Sequence, residues 1–180
     1  HPNVFNGKAV VFEGPEDYHK RLNSKKLNID ENSVLIVRGC GPVGYPGSAE
    51  VINMQPPDRL LKKGINTLPT LGDGRQSGTS ASPSILHVSP ESAVGGDLGI
   101  VKTGDRIKID LNKRRVDLLI SQAEFKNRRK KRKKFKINNQ TPWQEIFRDT
   151  VGQLEDGACI KSRGIYLKVS TSKGIPRNSH

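Results

Sequence analysis

Two stretches of the sequence combine glycine with polar side chains, each directly after an apolar run. Residues 41–50 read GPVGYPGSAE, and residues 72–80 read GDGRQSGTS. Glycine-rich polar loops that follow buried strands form rigid platforms, on which binding and catalytic groups are commonly placed. The two loops are therefore the candidate site. The alternative is that their glycines only allow the chain to turn.

Several short catalytic and nucleotide-binding motifs fail on inspection. Residues 39–44 spell G-x-G-x-x-G, but Pro42 removes one backbone amide and no helix opens directly, which disfavours a dinucleotide site. No Gly-Lys-Ser/Thr is present for a Walker loop, and the GRQSG around Ser77 is not a nucleophile elbow. Cys40 and Cys159 lack a partner at ligand spacing, which favours two ordinary reduced thiols over a metal site.

Composition restricts the class of protein. The length of 180 residues corresponds to one ordinary domain or one and a half small ones. The chain carries a net charge of +13, and 33% of its residues are hydrophobic, which is too many for a fully disordered protein. The sequence has no run of 18 apolar residues and no recognisable signal peptide. Two cysteines predict a reducing compartment, which we take to be the cytoplasm. The first residue is His1 and the sole methionine is Met54, so we expect a piece of a longer protein.

Most of the net positive charge comes from residues 126–136, KNRRKKRKKFK, called the basic segment below. It contains nine basic residues and no acidic one. One interpretation is a patch for nucleic acid or another anionic surface. The other, which we favour, is a solvated helix face or a connector. No aromatic platform is interleaved with these charges, as single-strand binding requires.

Hydrophobic periodicity and capping signals predict the secondary structure. The predicted strands cover residues 8–12, 33–38, 66–71, 84–88 and 98–102, followed by a hairpin of 107–111 with 116–120. The predicted helices cover residues 15–23, 48–54 and 57–63, and two more begin at capping boxes, at 121 and at 141, the latter reaching 154.

These elements predict an α+β fold. Strands outnumber helices and the hairpin excludes a purely parallel sheet, which favours a mixed β-barrel or sandwich flanked by helices. We divide the chain into a β-barrel core at 1–125, a basic connector at 126–140, and a carboxy-terminal helix and tail at 141–180 that pack on the same domain.

Three long stretches resemble the carboxy-terminal domain of the dihydroxy-acid and sugar-acid dehydratase family: GPVGYPGSAEVINM, TLGDGRQSGTS and HVSPESAVGGDLGIVKTGDRI. The resemblance runs from about residue 8 to residue 180. GYPGSAEV, DGRQSGTSASPS, TPWQEIFRDTVGQLEDGA and KGIPRNSH look like the sugar-acid branch, which includes phosphogluconate and pentonate dehydratases. The branched-chain amino-acid branch more often has GGPGM and DGRFSGG forms. A mixed β-barrel of the swivelling-domain type is what this resemblance implies.

The resemblance also implies a reaction. Enzymes of the family remove water from 2,3-dihydroxy carboxylates and form 2-keto-3-deoxy acids. The proton on C2 is weakly acidic, so a cation must hold the negative charge that develops on the carboxylate and the C2 oxygen. The C3 hydroxyl is a poor leaving group, which in this family an iron–sulfur cluster with an open iron is thought to accept.

The resemblance assigns roles to five residues. Ser77 is the base that faces C2 as an alkoxide, and Glu50 is a ligand of Mg²⁺. Thr79 and Ser80 bind substrate, and His180 folds back to the substrate from the chain end. The alternatives are that Ser77 and Thr79 cap a helix, that Glu50 lies on a helix surface, and that His180 is a loose terminus.

The partners follow from what the chain lacks. The three cluster cysteines and further Mg²⁺ ligands belong to the family's amino-terminal domain, and neither Cys40 nor Cys159 matches them. We therefore expect an isolated chain without activity, a missing amino-terminal domain, a small-molecule acid as substrate and a homo-oligomer. Two other functions remain open: a 2,3-dihydroxyisovalerate dehydratase of amino-acid synthesis, and a stand-alone basic module that binds an anionic partner.

Overall fold

The chain is organised around a six-stranded mixed sheet with the strand order β6-β4-β2-β1-β7-β8. The computed structural model describes residues 3–47, 50–76, 83–137, 141–162 and 164, with backbone only for 50–52. The strands are β1 (Val4–Glu13), β2 (Ser33–Arg38), β3 (Glu50–Ile52), β4 (Thr70–Gly72), β5 (Arg75–Gln76), β6 (Ser84–Ile85), β7 (Arg106–Asp110) and β8 (Arg115–Leu118). The helices are α1 (Pro15–Arg21), α2 (Asp58–Leu61), α3 (Gln122–Lys130) and α4 (Pro142–Thr150).

The sheet combines a parallel half with an antiparallel half. Strands β1, β2, β4 and β6 are parallel neighbours, and β7 and β8 form a hairpin that pairs antiparallel with β1. Strands β3 and β5 form a separate parallel pair. The sheet curls into a half-barrel, so the α+β prediction with a mixed, barrel-like sheet is confirmed.

The two central strands are buried on both faces. In β1, Val10 and Phe12 pack in one apolar cluster with Leu35 of β2, whereas Ala9 and Val11 face the opposite cluster. A strand with apolar side chains on both faces reads as a continuous hydrophobic run, which is why SVLIVR predicts β2 with its observed bounds.

Two predicted elements are wrong. The helix predicted over 48–54 is absent from its described part, residues 50–54, because β-branched Val51 and Ile52 belong to β3, which pairs with β5. Residues 98–102 do not form a strand, because a 3₁₀ helix covers Asp97–Ile100. An apolar run this short does not distinguish the two conformations by its periodicity.

The carboxy-terminal helices begin where the capping signals predict. Ser121 accepts a hydrogen bond from the Glu124 amide at the start of α3, and Thr141 forms a reciprocal capping box with Gln144 at α4. The basic segment therefore begins on a helix. Within the described residues, no helix has the length and apolar character needed to cross a membrane.

Candidate functional site

The two glycine-rich loops leave the sheet at the same edge. Strands β2 and β4 are parallel neighbours with Val37 opposite Gly72, so the loops after Arg38 and after Gly72 both start at the carboxyl ends of their strands. In open sheets with parallel strands, ligands bind at this edge, where successive loops converge. The fold therefore brings the starts of the two candidate loops to the same edge of the sheet.

Asp73 ties the second loop to the first. Its carboxylate is fully buried, and Oδ1 accepts a hydrogen bond from the Cys40 amide at 2.9 Å. Oδ2 accepts from the amides of Gly39 at 3.1 Å and Ser92 at 2.9 Å, and from Ser92 Oγ at 2.5 Å. Four donors from two other segments thus converge on one side chain, which fixes the beginning of both loops.

Glu91 performs the same function further along the first loop. Its side chain is fully buried, and its two oxygens accept hydrogen bonds from the amides of Val43 at 2.9 Å and Gly44 at 2.8 Å. Gln153 donates to Oε1 at 2.8 Å and accepts from the Glu91 amide at 3.1 Å. Burial raises the pKa of Glu91, and the bonds from the loop amides and Gln153 oppose that rise.

Two glycines allow the segments to approach this closely. A Cβ on Gly41 would lie 2.5 Å from Glu91 Oε2, and a Cβ on Gly74 would lie 2.4 Å from the Cys40 carbonyl oxygen. Neither distance is compatible with a side chain at these positions. The glycines of the candidate site are therefore required for contact between the loops as well as for turning.

Helix α4 also holds the first loop. The Arg148 side chain is buried, and its Nε donates to the Val43 carbonyl oxygen at 3.0 Å. Its Nη1 lies 2.7 and 2.8 Å from the two carboxylate oxygens of Glu145. With Glu91 on the amide side and Arg148 on the carbonyl side, the loop around Val43 is bound from both directions.

The pairing of β3 with β5 places Glu50 beside the second loop. The Glu50 backbone lies opposite Arg75, and Arg75 precedes Ser77 by two positions in the chain. The side chain of Glu50 and the predicted site residues Ser77, Thr79, Ser80 and His180 lie outside the described residues. Their assigned roles therefore stay predictions.

Gln76 leaves a buried donor next to Ser77 in the sequence. Its side chain is 7% exposed, and its Oε1 accepts a hydrogen bond from Thr70 Oγ1 at 3.0 Å. Its Nε2 has no partner within the described part of the chain. A buried donor without an acceptor costs about 1–3 kcal/mol, so this amide is available to a ligand or to a segment outside the described residues.

The described residues do not form a metal or cluster site on their own. They contain no group of three or more His, Cys, Asp or Glu that could hold a metal ion. Cys40 is buried, and desolvation, followed by the nearby charge of Asp73, raises the pKa of its thiol, which opposes the thiolate form that iron ligation requires. Glu50, whose side chain lies outside the described residues, carries a carboxylate of the kind that Mg²⁺ prefers.

Sequence reasoning missed the four residues that hold the loops: Asp73, Glu91, Arg148 and Gln153. Asp73 had a local signal, because it is an acidic residue between two glycines directly after a buried strand. The other three had none, since Arg148 reaches a carbonyl 105 residues away and Glu91 binds Gln153 over a separation of 62.

A family model described as Dihydroxy-acid/6-phosphogluconate dehydratase C-terminal matches residues 1–158. The chain is 52% identical over 177 residues to the D-xylonate dehydratase of Caulobacter vibrioides, covering 98% of this chain and 29% of the relative. It is 48% identical over 128 residues to an L-arabinonate dehydratase of Rhizobium leguminosarum bv. trifolii, covering 71% and 22%.

A more distant match comes from the other branch. The chain is 39% identical over 127 residues to a dihydroxy-acid dehydratase of Saccharolobus solfataricus, covering 71% of this chain and 22% of the relative. The chain thus spans less than a third of the length of each of these relatives.

Proposed function

Because the chain belongs to the dihydroxy-acid/6-phosphogluconate dehydratase family, whose carboxy-terminal domain it matches, we propose that it supplies half of the active site of a hydro-lyase. The longer enzyme removes water from a 2,3-dihydroxy carboxylic acid and forms a 2-keto-3-deoxy acid. The observation that carries this proposal is the family match across both glycine-rich loops, which the fold brings to one edge of the sheet.

A sugar acid such as a pentonate is the proposed substrate. The relatives named for xylonate and arabinonate share 52% and 48% identity with the chain, whereas the dihydroxy-acid dehydratase shares 39%. The loop forms GYPGSAEV and DGRQSGTS support the same branch. The alternative within the family is 2,3-dihydroxyisovalerate, which would place the enzyme in branched-chain amino-acid synthesis.

Ser77 is the proposed base that removes the proton from C2. A free serine hydroxyl is far too weak an acid for this task, so its alkoxide needs nearby cations and amide donors. The arrangement of the loops supports this role, because two sets of contacts fix the segment that leads to Ser77. Asp73 binds the amides of Gly39 and Cys40, and β5 pairs with β3. Thr79, Ser80 and His180 are proposed to bind and orient the substrate.

Glu50 is proposed to give one oxygen ligand to Mg²⁺, with the remaining ligands outside this chain. The ion would stabilise the negative charge that develops on the substrate carboxylate and the C2 oxygen. The pairing of Glu50 with Arg75 supports this assignment, because it brings the carboxylate-bearing strand next to the segment that leads to Ser77.

The described cysteines do not fit a cluster site, so we propose that the iron–sulfur cluster of the enzyme is bound by the part of the longer protein outside these residues. We therefore propose that the 180-residue chain alone has no dehydratase activity and acts with an amino-terminal domain in a homo-oligomer. Neither of its cysteines is in a disulfide, which is consistent with a reducing compartment such as the cytoplasm.

The test uses the longer enzyme that contains this domain, reconstituted without oxygen with iron, sulfide and Mg²⁺. Formation of 2-keto acid is measured with pentonates, hexonates and 2,3-dihydroxyisovalerate. We expect turnover of a sugar acid, loss of turnover with Ser77→Ala, and a higher Mg²⁺ requirement with Glu50→Gln. Ser24→Ala is the control, because Ser24 caps no helix with its side chain.

Each outcome decides one part of the proposal. Turnover of dihydroxyisovalerate alone would move the enzyme to the other branch, and full activity of Ser77→Ala would remove the proposed base. Removal of His180 should raise KM or lower kcat. Unchanged kinetics would exclude its role in substrate binding.

A further inference from the structure

A cleft of about 780 Å³ lies beside the first loop, with Gly44 and Tyr45 of that loop in its lining. Its walls include Gly39, Tyr45 and Lys102, and its rim is formed by residues 131–136 of the basic segment. We propose that this cleft binds a compact polyanion that carries several adjacent phosphate groups. The inference does not depend on the proposed dehydratase activity.

The basic segment is anchored across the cleft at three points. Arg128 binds Asp105 with its guanidinium at 2.5 and 3.0 Å, and both side chains are about one-tenth exposed. Arg132 donates to the Gly95 carbonyl oxygen. Phe135 lies against Gly39, where an added Cβ would come within 2.6 Å of the ring. The segment is therefore held over the cleft by specific contacts.

These anchors leave a set of cations at the rim. Nine basic and two acidic side chains line the cleft. Arg38, Arg128 and Arg148 are already paired with carboxylates. No ion pair within the described residues involves the remaining lysines of the segment's second half: Lys131, Lys133, Lys134 and Lys136.

The chain itself offers these lysines little compensation. Every acidic side chain except that of Glu50 lies in the described part of the chain. Of the two acidic side chains in this cleft, Glu13 binds Arg38, which leaves Glu16 as one carboxylate against four lysines. Holding four ammonium groups together around a concave space raises their mutual repulsion. An anion with several charges in a small volume would reduce that repulsion at each of them.

The shape of the surface favours a small ligand over a nucleic acid. A volume of about 780 Å³ is in the range of sites for metabolite-sized ligands. Single-stranded nucleic acid needs an extended groove with aromatic side chains free for base stacking. Of the two aromatic residues in the cleft, Tyr45 and Phe135, the second is packed on Gly39, so the cleft offers no row of stacking side chains. Phosphate groups suit lysine, whose ammonium acts as a point charge with three donors.

The experiment measures the binding of inorganic tripolyphosphate to the 180-residue chain by titration calorimetry, at low salt and at about 0.15 M salt. The first variant replaces Lys131, Lys133, Lys134 and Lys136 with glutamine. Its matched control replaces four exposed lysines outside the cleft, which removes the same charge: Lys25, Lys26, Lys62 and Lys63. Circular dichroism verifies that each variant is folded.

A third variant, Phe135→Ala, separates geometry from net charge. It keeps every lysine but removes the contact with Gly39 that holds the segment over the cleft. We expect the quadruple cleft variant to bind tripolyphosphate about tenfold to a hundredfold more weakly, Phe135→Ala severalfold more weakly, and the control variant about as well as wild type.

Three results would overturn the proposal. Equal weakening in the control and cleft variants would show a response to net charge alone. Unchanged binding by Phe135→Ala would show that the cleft geometry is irrelevant. Tight binding of a single-stranded oligonucleotide that tripolyphosphate does not displace would assign the basic segment to nucleic acid instead.

Discussion

Replacing Asp73 with asparagine tests whether the buried carboxylate holds the candidate site together. The substitution changes almost no volume, so it leaves no cavity. It removes the charge and turns one acceptor oxygen into an amino group that can only donate. All four groups that face this side chain are donors, from Gly39, Cys40 and Ser92. The asparagine therefore meets a donor in either orientation.

The structure sets the size of the effect. In the less costly orientation the asparagine oxygen keeps the three bonds that Oδ2 accepts, and its amino group faces the Cys40 amide. Cys40 is 1% exposed, so its N–H loses its acceptor where water cannot replace it. A charge-assisted bond is lost and a buried donor is orphaned, which together lower the free energy of unfolding by about 2–4 kcal/mol.

The assay is equilibrium unfolding in urea followed by circular dichroism, with Asp156→Asn as the matched control. Asp156 is exposed in the 3₁₀ helix Leu154–Asp156, and its substitution should change the free energy of unfolding by less than about 0.5 kcal/mol. Ser92→Ala completes a double-mutant cycle, in which a coupling energy above about 0.5 kcal/mol is expected because the two side chains share a bond. A midpoint for Asp73→Asn equal to that of the control would refute the reasoning.

Three further predictions concern other contacts. Gly74→Ala should destabilise the fold by about 1–3 kcal/mol, because the added Cβ would lie 2.4 Å from the Cys40 backbone. The control, Gly99→Ala, should be nearly neutral in the same urea assay, because its added Cβ has no contact under 3.6 Å. Although desolvation opposes it, the hydrogen bond from Arg128 lowers the pKa of Asp105. The stabilisation that the ionised Asp105 gives the fold is therefore present above the unfolded pKa and is lost as pH falls through the lower folded pKa. The difference in unfolding free energy between wild type and Asp105→Asn should narrow below about pH 4, and a constant difference would contradict this. Alkylation followed by mass spectrometry should modify Cys159 in the native chain and Cys40 only after unfolding, since burial raises the Cys40 thiol pKa; rapid native labelling of Cys40 would disprove its burial.

The sequence predicts the fold best where one local signal determines the structure. The run SVLIVR predicts β2, because a strand buried on both faces needs apolar side chains at every position. Alternation predicts the β7–β8 hairpin, and Thr141 with Gln144 predicts the start of α4. Short elements such as β3 are missed, because three residues carry too little periodicity to separate strand from helix.

The candidate site is predicted only in part. Glycine and polar residues after buried strands identify both loops. The two loops start at one edge of the sheet because β2 and β4 are parallel neighbours. The buried groups that fix the loops are not predicted, because the partners of Glu91 and Arg148 are distant in sequence and are set by tertiary packing. A carboxylate that binds the amides of a segment distant in sequence, as Glu91 does, leaves no local pattern.

The place of β1 in the sheet has a consequence for how this chain acquires its fold during synthesis. β1 is a central strand that pairs with β2 on one edge and with β7 on the other. β7 begins at Arg106, so one edge of β1 stays without its partner until that residue has left the ribosome. Contacts this distant in sequence slow folding and leave an apolar strand edge open to other chains in the meantime. Ribosome-bound chains that end before β7 should therefore depend on chaperones for protection of this edge, whereas chains that extend past β8 can close it themselves.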